Sequence, residues 1–78
     1  VRVRYFAAAA EAAGTSEEDV PGATRGELVA AMVARHGDGL ARVLDRCSLL
    51  ASGERLDGDG APVPAGATVD VLPPFAGG

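Results

Sequence analysis

Residues Val1-Arg2-Val3-Arg4-Tyr5-Phe6 alternate with period two, and the alternation returns at Thr68-Val69-Asp70-Val71-Leu72. Val, Tyr and Phe suit a pleated, half-buried surface, so both segments read as strands with one apolar face. The intervening residues have to cover those faces, and 78 residues provide one small domain to do it in. The cover is announced by Thr24-Arg25-Gly26-Glu27, where a threonine cap and a glutamate three residues on satisfy each other's free backbone donors. Leu28, Val29, Met32 and Val33 then share one face of the predicted helix. It closes at Arg35-His36-Gly37, with cations at the negative end of the helix dipole and glycine beyond.

The remaining segments fill in around this helix. Ala7 to Gly14 reads as a short alanine-rich helix that Gly14 ends, and Glu17 to Val20 as an acidic edge strand stopped by Pro21-Gly22. Leu40, Val43 and Leu44 predict one further helical turn. Cys47 to Ser52 reads as a strand, Ser52-Gly53 as a turn, and Asp57 to Gly66 as a loop with little regular structure. The order of elements is α+β, without repeat, heptad or internal boundary.

Composition narrows the function. The 47% hydrophobic and 23% charged content is that of a globular chain. A domain this small has little room for a deep active site of its own. One cysteine, Cys47, and one histidine, His36, provide neither an internal disulfide nor a structural zinc set. A net charge of −4 argues against nucleic acid, whose phosphates demand a clustered basic surface. All seven basic residues are arginine, so lysine-linked chains of this protein cannot form. The opening residues carry arginines instead of an apolar signal core, and no uncharged run approaches membrane-spanning length. A cytoplasmic protein, with no membrane partner, is expected.

Chemistry concentrates in Pro73-Pro74-Phe75-Ala76-Gly77-Gly78. Two prolines end sheet pairing and project the segment outward, and at about 3.3 Å per extended residue six residues reach on the order of 20 Å. A narrow channel closes around backbone only where no Cβ intervenes, so Gly77-Gly78 suits entry into a partner's active site. Taken alone, Gly-Gly fits a frayed end as well.

Together, the opening strand ending Tyr5-Phe6-Ala7, the capped central helix and the closing Val69-Asp70-Val71-Leu72-Pro73-Pro74-Phe75-Ala76-Gly77-Gly78 resemble the MoaD/ThiS family of sulfur carriers. The resemblance covers essentially the whole chain, and the Pro-Pro-x-x-Gly-Gly ending is closer to the MoaD branch, the small subunit of molybdopterin synthase. It implies a ubiquitin-like β-grasp fold, a mixed sheet packed on one main helix, with a body at 1–72 and an extended tail at 73–78. It implies a protein cosubstrate, not an enzyme. The Gly78 carboxylate would be adenylated by an ATP-dependent, ubiquitin-activating-type adenylyltransferase and converted to a thiocarboxylate. The carrier would bind no cofactor itself; ATP is used by the partner. Phe75, Ala76 and Gly77 would thread the partner's active site, and the molybdopterin synthase large subunit or another acceptor would take the sulfur. Thiazole, cysteine or a secondary metabolite are alternative destinations, and a non-covalent β-grasp interaction module with an inert tail is an alternative of a different class. The chain departs from the family's pattern in having Ser52-Gly53 where Asn-Gly is frequent, and Phe75-Ala76 where Val followed by Ala or Ser is frequent.

The alternation also defines a docking face. If Val1, Val3, Tyr5, Val69 and Val71 point inward, then Arg2, Arg4, Phe6, Asp70 and Leu72 point outward. The β-grasp order sets Phe6 beside Leu72, with Leu56 expected to join them and Arg4 and Asp70 to flank them, as a patch for both partners. The competing placement folds Phe6 under Ala7–Ala13. Cys47 reads as a small buried apolar residue, His36 as a surface residue without a paired acid, and Glu17-Glu18-Asp19 as a solvated edge. Asp57-Gly58-Asp59-Gly60 lacks the later ligands of a calcium loop, and no metal is expected there.

Overall fold

The alternating ends of the chain set the sheet. In the computed structural model, which describes residues 1–74, β1 (Arg2–Tyr5) lies parallel to β5 (Thr68–Leu72), with Arg2 opposite Thr68 and Tyr5 opposite Val71. β2 (Glu17–Asp19) pairs antiparallel with the free side of β1, and β3 (Ser48–Ala51) pairs antiparallel with β5. β4 (Glu54–Arg55), too short to be read from the sequence, closes the second edge, giving the order β2-β1-β5-β3-β4. Parallel first and last strands at the centre of a mixed five-stranded sheet, crossed by a capped helix, make the ubiquitin-like β-grasp fold expected of the chain.

Three helices cover one face of this sheet: α1 (Ala8–Ala13), α2 (Arg25–His36) and α3 (Asp38–Leu44). α1 ends at Gly14, whose φ of 74° is the left-handed cap that glycine takes without strain. α3 runs to seven residues, longer than the single turn expected, and carries Leu40 and Leu44 into the core. Val3, Leu28, Met32, Leu40, Leu49, Val69 and Val71 are each at most 1% exposed. Burying one such side chain contributes about 1.5–3 kcal/mol, against about 0–1 for an exposed ion pair, so this cluster holds the domain together. No polar or charged residue is buried among the described residues.

α2 is anchored at its start by a side-chain cap, a returning glutamate and a loop. Thr24 Oγ1 accepts from the Glu27 N–H at 3.2 Å, and Glu27 Oε1 accepts from the Ala23 N–H at 3.0 Å, one residue before the cap. The Asp57–Gly66 segment, which the sequence leaves as plain loop, supplies the rest. The Arg25 and Gly26 N–H groups donate to the Ala61 and Asp59 carbonyls, each at 2.9 Å, so the first three amides of the helix all have partners. A Cβ at Gly26 would lie 3.0 Å from the Asp59 Cβ, which is why the loop can approach here. The consequence is a loop held against the helix that spans the sheet, leaving the opposite sheet face open.

Candidate functional site

The open face is built by the strand periodicity. β1 buries Val3 and Tyr5 and exposes Arg2 and Arg4; β5 buries Val69 and Val71 and leaves Thr68, Asp70 and Leu72 partly exposed. The parallel register sets Arg4 opposite Asp70. Arg4 Nε donates to Asp70 Oδ1 at 2.7 Å and Arg4 Nη2 to Oδ2 at 2.9 Å, a two-pronged fork that fixes both side chains. The hydrogen bonds and charge of Asp70 raise the Arg4 pKa further above its usual value, so the guanidinium is charged at any relevant pH.

Phe6 continues the outward row beyond Arg4. It is 39% exposed, the one large hydrophobic residue that is exposed among those described, and its ring centroid lies 5.8 Å from the Arg4 guanidinium carbon. The Phe6 N–H donates to the Val71 carbonyl at 3.2 Å, which carries the strand pairing to the position beside Leu72. Placement of Phe6 in the core is thereby excluded. Leu56 corrects the expected patch: it is 8% exposed, packs in the core, and its N–H donates to the Leu49 carbonyl at 2.8 Å. The two-residue strand β4 returns the chain toward the core at that position. Leu50, directly opposite Asp70 on β3 and half-buried, stands on the open face instead. Its signal was available, since Leu49 and Leu50 cannot both face inward in one strand.

Two further expectations are revised at the other end of the molecule. Glu18, expected to be solvated, is only 17% exposed at its side chain and gathers three donors. The Tyr5 hydroxyl donates to its Oε2 at 2.7 Å, Arg35 Nη1 to its Oε1 at 3.2 Å, and His36 Nε2 contacts Oε2 at 2.6 Å. His36 is therefore paired with an acid across 18 positions, its ring meeting Tyr5 edge-on with centroids 6.1 Å apart. Burial pushes the Glu18 carboxyl up, but the hydrogen bonds from Tyr5, His36 and Arg35 outweigh it and hold the group below its usual value. Burial foremost, and then Glu18, push the Tyr5 phenol up. This cluster ties β1, β2 and α2 together.

Cys47 is partly buried, its Sγ 3.1 Å from the Val43 carbonyl, and burial pushes its thiol up. It is a packing residue. No group of three His, Cys, Asp or Glu residues that could hold a metal occurs among the described residues, and no helix among them is long and apolar enough to cross a membrane. Pro73 and Pro74 follow β5 outside the ladder. Phe75, Ala76, Gly77 and Gly78, expected to thread a partner and carry the reactive carboxylate, lie outside the described residues.

Protein-family comparison decides the kinship of this arrangement, because the model of the ThiS family matches residues 3–78. The chain belongs to the ThiS family. Among solved structures, SAMP1 from Haloferax volcanii is 33% identical with a TM-score of 0.77, over 99% of this chain and 97% of that one. The Amycolatopsis orientalis BexX/CysO complex contains a chain matching at 24% identity and TM-score 0.80, over 99% and 98%. The complex of subunits 1 and 2 of the molybdopterin-converting factor from Helicobacter pylori contains another, at 23% and 0.69, over 99% and 96%. Below 25% identity these last two likenesses are ones of fold. Comparison with curated proteins finds no match. As a ThiS-family member the chain is a sulfur-carrier or ubiquitin-like protein, which acts as a substrate or partner of enzymes rather than as a catalyst.

Proposed function

We propose that this chain is a sulfur carrier for molybdopterin synthesis, with 1–72 as its docking body and 73–78 as its reactive tail. The observation that carries the carrier reading is the family match running through residue 78, so that Pro73-Pro74 and Gly77-Gly78 fall inside it, directly after the central strand β5; the Pro-Pro-x-x-Gly-Gly ending is what favours molybdopterin as the destination. A carboxylate is a poor electrophile. An oxygen of the Gly78 carboxylate attacks the α-phosphorus of ATP in the partner adenylyltransferase, releasing pyrophosphate. Hydrosulfide then displaces AMP from the acyl carbon and loses its proton, leaving the thiocarboxylate. Phe75, Ala76 and Gly77 thread the active site, while Phe6, Leu72 and Leu50, beside the Arg4–Asp70 pair, dock on the enzyme surface. The acceptor is the large subunit of molybdopterin synthase, a partnership of the kind seen in the Helicobacter pylori complex.

The Haloferax likeness favours one second reading. Its relative is a small archaeal modifier protein, and the same activated carboxylate attacked by a lysine amine instead of a sulfur nucleophile gives an isopeptide bond. Without lysine, this chain could be attached to other proteins but not through a side-chain amine of its own. Both readings require adenylation. ATP–pyrophosphate exchange with the cognate activating enzyme, run with the full chain and with one lacking Gly77-Gly78, tests it: exchange only with the full chain is expected, and exchange by both or neither contradicts it.

A further inference from the structure

Two of the seven arginines, Arg42 and Arg46, form no ion pair among the described residues, whereas Arg2, Arg4, Arg25, Arg35 and Arg55 each do. Both are exposed, and Asp45 between them pairs with neither among the described residues. They stand together at the root of the tail. A hollow of about 330 Å³ on one side of Pro73-Pro74 is lined by Arg42, Val43, Arg46 and Ala8; a second of about 360 Å³ on the other side is lined by Arg46, Leu72, Leu50, Ser48 and Arg55. Arg46 borders both, and no acidic side chain lines either. In a chain of net charge −4 this is a local reversal of sign, placed where the tail leaves the body. The end of the α3 dipole gives Arg42 a local reason to be basic, but Arg46 lies beyond that helix.

We infer that Arg42 and Arg46 form a basic collar that seats an acidic rim at the mouth of the adenylyltransferase entered by the tail. The inference rests on the carrier reading above. A tail that enters an active site brings its root against the rim of that site, so the collar is continuous with the docking face at Leu72 and Leu50. Guanidinium forks suit carboxylates, and two forks without a partner among the described residues, flanking the threaded segment, would fix its entry angle. Two cations on an acidic chain are too few for a polyphosphate backbone, which leaves carboxylates on a protein as the fitting partner.

The test is ATP–pyrophosphate exchange with the cognate activating enzyme, comparing the wild-type chain, Arg42→Ala/Arg46→Ala, Arg42→Lys/Arg46→Lys and the chain lacking Gly77-Gly78, with thermal melting to verify each fold. The alanine pair is expected to raise KM about five- to tenfold with kcat unchanged and to flatten the rise of KM with salt, and the lysine pair to restore the salt dependence but only part of the KM loss, since it returns the charge without the fork. The truncated chain should give no exchange but compete with wild type, since it keeps the collar. Unchanged KM and salt dependence in the alanine pair overturn the collar and leave the carrier standing. A lowered KM overturns it too, by showing that the arginines hold the chain's own terminal carboxylate. Absence of exchange with wild type overturns both readings.

Discussion

Arg4 and Asp70, 66 positions apart, meet as a two-pronged fork across the parallel pair β1 and β5, with the Phe6 ring beside the guanidinium. The pairing neutralises two charges on the open face and holds them still next to an exposed aromatic ring. An apolar side chain flanked by a fixed polar pair is the anatomy of an interface centre, in which the ring supplies area and the charges fix register.

Phe6→Ala therefore separates binding from folding. With the residue already 39% exposed, the substitution is expected to cost the fold about 1 kcal/mol or less and to weaken binding to the activating enzyme by at least about tenfold. Calorimetric titration beside thermal melting reads both quantities. Unfolding of the variant, or unchanged affinity, contradicts the docking face.

Glu18 makes the fold sensitive to acid. Its pKa is lowered in the folded protein from a reference of 4.5, so the stability it contributes is fully present above that value and is lost as pH falls through the lower, folded value. Glu18→Gln leaves the Tyr5 hydroxyl, Arg35 and His36 around a weaker acceptor and is expected to cost about 1–3 kcal/mol at neutral pH. Urea unfolding between about pH 3 and pH 7 should show the wild type losing more stability than the variant below pH ~4.5. Parallel curves would show that Glu18 does not carry the acid dependence.

The hairpin between β3 and β4 holds removable strain. Ser52 and Gly53 both have positive φ, 49° and 86°, as a two-residue turn between Ala51 and Glu54 requires, and only the glycine takes that conformation freely. Ser52→Asn, placing there the residue frequent in the resembled family, is expected to stabilise by about 0.5–1 kcal/mol, a rise of about 2–8 °C in Tm. A fall in Tm would show that the hydroxyl has a role the backbone does not explain.

Features encoded within one turn or one strand were legible in the sequence. The Thr24–Glu27 cap, the Gly14 stop, the acidic edge at Glu17–Asp19 and the outward row Arg4, Phe6, Asp70, Leu72 all follow from neighbours a few positions apart. What escaped depends on contacts between distant segments. Glu18 meets His36 only because β2 and the end of α2 converge, and Asp59 caps α2 only because Gly26 leaves room. Leu56 follows a strand of two residues, too short for alternation to set its direction, so its burial had no local signal. Arg42 and Arg46 look like ordinary surface charges until the fold sets them beside Pro73-Pro74.

The carrier reading stands on conversion of the Gly78 carboxylate to a thiocarboxylate. The direct measurement is intact mass after incubation with the activating enzyme, ATP and a sulfur source, followed by proteolysis to localise any change. Exchange of one oxygen for sulfur adds about 16 Da, the same as a single oxidation at Met32 or Cys47, so the location of the shift decides its meaning. An ATP-dependent gain confined to the fragment containing Gly78 and abolished by removing Gly77-Gly78 is expected. A full chain of unchanged mass, beside an enzyme that modifies its own carrier normally, or a gain confined to the fragments holding Met32 or Cys47, would contradict it.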